Sequence, residues 1–112
     1  MKLIIAVIKP FKIQEVTDAL HQLGISGVTM IEVRGWGRQR GHSEVYRGAE
    51  YRIDYIPKLR LEIVADDDQV PAIVEAVVQN SRTGTIGDGK YWVVPVEQLG
   101  RIRTGELDAD AL

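Results

Sequence analysis

The chain has 112 residues, 45% of them hydrophobic and 27% charged, with a formal net charge of −2 and a pI near 5.6. That length suits one domain, residues 1–112, with a real core; that charge excludes general attraction to nucleic acid or to anionic membrane. The absence of cysteine removes disulfides and thiolate metal sites and agrees with a cytoplasmic location.

Leu3 to Ile8 is an uninterrupted apolar run ended by Lys9-Pro10, which predicts a strand buried on both faces. Its six residues are too few for a secretory or membrane-spanning segment. "KIQEVTDALHQLG" follows, with Ile13, Val16, Leu20 and Leu23 at helical spacing and Gly24 as the stop. Val28 to Val33 predicts a second strand. Lys58 to Val64 predicts a third, with Leu59, Leu61 and Ile63 on one face and Lys58, Arg60 and Glu62 on the other.

"ADDDQVPAIVEAVVQN" predicts the second helix. Asp66 to Asp68 cap it, and Val70, Ile73, Val74, Val77 and Val78 form its buried stripe. The triple aspartate is a solvated helix start, because no calcium-loop spacing surrounds it. "SRTGTIGDGK" is a glycine-rich loop, and "YWVVPV", Tyr91 to Val96, predicts a fourth strand whose proline suits a sheet edge. In the tail, 98–112, "RIR" is the one candidate for a further strand.

Two strand–helix–strand halves predict an α+β, ferredoxin-like βαββαβ (split βαβ) fold with a long loop between strands 2 and 3. Both outer strands in the sequence are apolar on two sides. A second copy of the chain is therefore expected to cover the open sheet face or an edge.

Several stretches carry chemical possibilities. Gly84, Gly89 and Lys90 match a phosphate loop until Tyr91, which stands where a magnesium-binding Ser or Thr is required. Anion binding by glycine N–H groups and Lys90 stays open, beside a plain turn. Arg101 and Arg103 would share a face of an extended segment and repel unless an anion lies between them. "RGWGRQRG" begins like an RNA-recognition signature, but Arg38 replaces the second stacking aromatic, and the acidic net charge argues against RNA. His21 and His42 have no partners at metal-ligand spacing, and no catalytic constellation is present.

The loop, residues 36–55, shows neither a helical nor a strand period. Tyr46 and Tyr51 stand there among charges, an arrangement that suits partner docking or covalent modification.

"IKPFK", "GRQRGHSEVYRGAEY", "TGTIGDGK" and "RIRTGE", in order and without gaps, resemble the PII nitrogen-regulatory signal proteins from Met1 to Leu112. The resemblance implies a cytoplasmic homotrimer that is a sensor and not an enzyme, with ATP or ADP bound between subunits. It implies that Mg2+ and ATP together admit 2-oxoglutarate, and that the loop reports the outcome. Gly87, Asp88, Gly89, Lys90, Arg101, Arg103, Gly37 and Arg38 would then hold the nucleotide phosphates, and Thr29 and Val64 the nucleoside. Gln39 would ligate Mg2+ and meet 2-oxoglutarate, and Lys58 would pair with a carboxylate of that acid. Tyr51 would be the residue uridylylated or adenylylated by a nucleotidylyltransferase. The implied partners are an ammonium transporter, which supplies the sole link to a membrane, and enzymes or regulators of nitrogen metabolism. Nucleic acid is not among them. An RNA-binding module and a slow ATPase are the alternatives.

Overall fold

The computed structural model describes residues 1–36 and 55–112 in full and the backbone of residues 43–46 and 49–52. Strand β1 spans Lys2–Ile8, helix α1 Ile13–Gln22, β2 Thr29–Gly35, β3 Ser43–Tyr46, β4 Ala49–Arg52, β5 Ile56–Ala65, α2 Val70–Ser81 and β6 Gly89–Pro95. β2, β5, β1 and β6 form, in that order, one antiparallel sheet. Each strand–helix–strand half thus encloses a strand of the other half, as the split βαβ reading requires.

Both helices cover one sheet face. Ile4, Ala6 and Ile8 of β1 and Leu59, Leu61, Ile63 and Ala65 of β5 meet Val16 and Leu20 of α1 and Ile73 and Val77 of α2 in a single core. Each fully buried Ile or Leu contributes about 1.5–3 kcal/mol of hydrophobic transfer. The predicted alternation of β5 is observed, as is the α2 stripe, with Val70, Val74 and Val78 half-buried at its margin. Leu23 is exposed.

The helix ends follow local chemistry. Gly24, at φ +82°, closes α1: its N–H bonds to His21 O at 2.9 Å and the N–H of Ile25 bonds to Leu20 O at 3.1 Å. The Asp66 N–H donates to Gln69 Oε1 at 3.1 Å, a capping box before α2. Asp67 pairs with the Met1 amino group at 3.0 Å.

Among the described residues, the other sheet face carries no helix. Its surface includes Ile31, Ile5, Trp92 and Val94 around the charged row Lys58, Arg60 and Glu62. Ile31, Trp92 and Val94 are exposed, and Arg60 lies over Trp92 and pairs with Glu62 at 3.5 Å. β6 is an edge strand, as its proline predicted, but it begins two residues earlier than expected, at Gly89.

Two expectations are corrected. The long loop contains regular structure: β3 and β4 pair from Ser43↔Arg52 to Tyr46↔Ala49. Backbone ladder bonds can form this hairpin without an apolar period. "RIR" is not a strand. Gly105, at φ +75°, lets the chain turn, and its N–H bonds to Arg101 O at 2.8 Å, leaving an isolated bridge between Gly100 and Leu107.

Candidate functional site

The glycine loop is built on the end of β1. Gly89, at φ +103°, pairs with Ile8, and a Cβ there would stand 1.8 Å from the Val7 carbonyl oxygen. Only glycine permits that approach. Gly84 and Gly87 also have positive φ, which L side chains rarely adopt.

Inside this loop the Asp88 carboxylate is turned toward its own backbone. Oδ2 accepts the N–H groups of Thr83 and Gly84, each at 2.8 Å; Oδ1 accepts the Thr83 hydroxyl and lies 3.1 Å from Lys9 Nζ. The Thr83 hydroxyl above all, then the two N–H groups and Lys9, hold the carboxyl well below the usual carboxylate range, against an opposing push from desolvation.

Lys58 is buried, although it faces away from the helices. Its Nζ donates to the Gly87 carbonyl at 2.5 Å. Desolvation lowers its pKa, nearby Lys9 lowers it further, and Asp88 pulls the other way. A cleft of about 510 Å³ opens here, lined among others by Gly35, Trp36, Lys58, Gly87, Gly89 and Lys90.

A second cleft, of about 530 Å³, includes Thr29, Glu62, Val64, Gln69 and Arg101 in its lining. The register places Thr29 beside Glu62. Arg101 donates to Glu106 Oε1 at 3.4 Å, to Leu112 O at 3.0 Å and to Ala111 O at 3.4 Å. Arg103 is exposed on the turn.

The expected site residues therefore fall into two groups. Lys58, Gly87, Gly89 and Lys90 share one cleft with Asp88 beside it, whereas Thr29, Val64 and Arg101 share the other. Val64 lies six residues beyond Lys58 along β5, about 20 Å of extended chain. Gly37, Arg38 and Gln39 and the side chain of Tyr51 lie outside the described residues. Sequence reasoning missed Glu62 and Gly35 as cleft residues. Strand alternation put Glu62 on the face of Lys58, but the cross-strand neighbour Thr29 appears only with the register.

The model of the family described as nitrogen regulatory protein P-II matches residues 1–106. This chain belongs to the P-II family. It is 54% identical to the nitrogen regulatory protein P-II of Azospirillum brasilense, 54% to that of Pasteurella multocida and 55% to that of Cereibacter sphaeroides. Each match covers the whole of both chains, 112 residues. A P-II protein is a signal transducer of nitrogen regulation and not an enzyme, and it acts through target proteins. Among the described residues of this P-II chain, no helix is long and apolar enough to cross a membrane.

Proposed function

We propose that this P-II protein is a cytoplasmic sensor that binds ATP or ADP and, with Mg-ATP, 2-oxoglutarate. It reports to its targets through residues 36–55. The carrying observation is the separation of the two clefts along β5: one offers glycine N–H groups and lysines, the other Thr29, Glu62, Val64 and an arginine. A nucleotide needing both sets is held between two copies of the chain, in a homotrimer whose open sheet faces are buried against one another.

In that cleft the N–H groups of the Gly87–Gly89 loop and the Lys90 ammonium take the phosphates, joined by Arg38, the Gly37 backbone, and Arg101 and Arg103 of the other copy. Thr29 and Val64 take the nucleoside. The positive-φ glycines and the lysines suit a polyphosphate. Mg2+ favours phosphate oxygens with few protein ligands, so Gln39 alone suffices; among the described residues no cluster of three or more acidic or histidine side chains competes for it. Lys58 pairs with a carboxylate of 2-oxoglutarate. Sharing one ion makes ATP and 2-oxoglutarate each improve the other's binding. Tyr51, on β4 of the hairpin, is the nucleotidylylated residue, and an ammonium transporter and nitrogen-metabolism enzymes are the targets.

Calorimetric titration of 2-oxoglutarate into protein with Mg-ATP, with ADP and with no nucleotide tests this. Binding with Mg-ATP alone is expected. Equal binding in the ADP sample overturns it.

A further inference from the structure

Lys9, in the "IKPFK" segment, neighbours Asp88 and Lys58 in the site described above but is assigned no ligand there. It sits just beyond β1 with its side chain 12% exposed, and Nζ meets three acceptors: Thr85 Oγ1 at 2.8 Å, Thr83 Oγ1 at 3.1 Å and Asp88 Oδ1 at 3.1 Å. An ammonium has three donors, and all three are engaged. Asp88 is similarly saturated, because its carboxylate accepts from Thr83 N, Gly84 N, the Thr83 hydroxyl and Lys9. About four lone-pair sites are available on a carboxylate.

We infer that Lys9, Thr83 and Asp88 are positioning residues: a closed brace that holds the glycine loop in its anion-binding shape while touching no ligand. Three facts carry this. The brace grips the loop at Thr83 and Gly84, and Gly89 is pressed against Val7, so both ends of the loop are anchored on the same strand end. A carboxylate aimed at a phosphate would repel it, and here that charge is turned inward and neutralised by Lys9. The two charges leave no donor or acceptor over for a bound anion or its metal.

The inference rests on the loop of Gly87 to Lys90 being the phosphate site, and two measurements separate the claims. The first is Mg-ATP calorimetry on the full chain, comparing wild type, Lys9→Met, Asp88→Asn and the double variant. Each single variant is expected to weaken Mg-ATP by about tenfold or more, the scale of a lost charge-assisted contact. The double variant should lose no more than about the larger single loss, because the residues act as one unit. Tighter binding by Asp88→Asn, unchanged binding by Lys9→Met, or additive losses would each overturn the brace.

The second measurement needs no ligand. In Asp88→Asn, amide exchange at Thr83 and Gly84 should accelerate by about tenfold or more, while β5 amides keep their wild-type protection. Unchanged exchange at those two amides overturns the brace whatever calorimetry gives. If wild type binds no Mg-ATP, the phosphate assignment fails, and this exchange result still decides the brace. A Lys9→Met chain that fails to fold leaves the isosteric Asp88→Asn variant to decide it.

Discussion

The buried ammonium of Lys58 donates to the carbonyl of Gly87, tying the centre of the sheet to the glycine loop. One cation thereby fixes the spacing between the open face and the loop. Replacing Lys58 with Met keeps most of the apolar stem and removes the donor. That variant should retain folding and lose 2-oxoglutarate binding by at least about thirtyfold, as expected when one partner of a desolvated charge pair is removed. Calorimetry with saturating Mg-ATP measures it.

Gly89→Ala places a methyl where the Val7 carbonyl oxygen already stands and forces a positive φ on an L residue. The expected loss is about 2–4 kcal/mol of stability, from backbone strain and displacement of β6 from β1. Urea unfolding reports it as a lowered midpoint.

Lys90→Ala should behave differently. Lys90 is exposed on the open face of the edge strand, so the melting temperature should move little. ATP affinity should fall by about 1–3 kcal/mol, read by direct titration. A large drop in melting temperature with unchanged affinity would make Lys90 a structural residue.

Asp88 sets an acid dependence. Its carboxyl protonates less readily in the folded chain than in the unfolded one, so the unfolded state binds more protons in acid. Its stabilisation is full above about pH 4, the ordinary aspartate value, and is lost as pH falls from there toward the depressed folded value. The stability difference between wild type and Asp88→Asn should therefore shrink between pH 7 and pH 3, measured by urea midpoints at each.

Trp36 is 68% exposed and borders the cleft of Lys58. Its fluorescence should shift when Mg-ATP and 2-oxoglutarate bind together. The same titration of a Trp36→Phe variant separates its contribution from that of Trp92, which lines the same cleft.

The sheet and both helices were legible because a buried face leaves a period. Leu59, Leu61 and Ile63 alternate, and Ile13, Val16 and Leu20 recur at helical spacing, since each must reach one core. The β3–β4 hairpin left no such trace. "SEVY" and "AEYR" have no repeating apolar face, and the usable signal was the two-residue spacer Arg47-Gly48 between them. Residue types at the glycine loop were readable, but the direction of the Asp88 carboxylate was not, because it depends on Lys9 from 79 positions earlier in the chain. Arg101 and Arg103 looked like a strand pair because spacing alone does not register the reversal at Gly105.

The two clefts on one subunit are unlike; if one nucleotide spans both, as proposed, unlike halves of neighbouring copies join head to tail. Such contacts are all satisfied at once only in a closed ring, which then holds as many complete sites as subunits. On that proposal an isolated subunit holds none. The proposed site thus links ligand occupancy to assembly: nucleotide would protect the ring against dilution, and dilution below the assembly threshold would abolish the signal. In the proposed sensor, the length of β5 makes ligand binding a collective property.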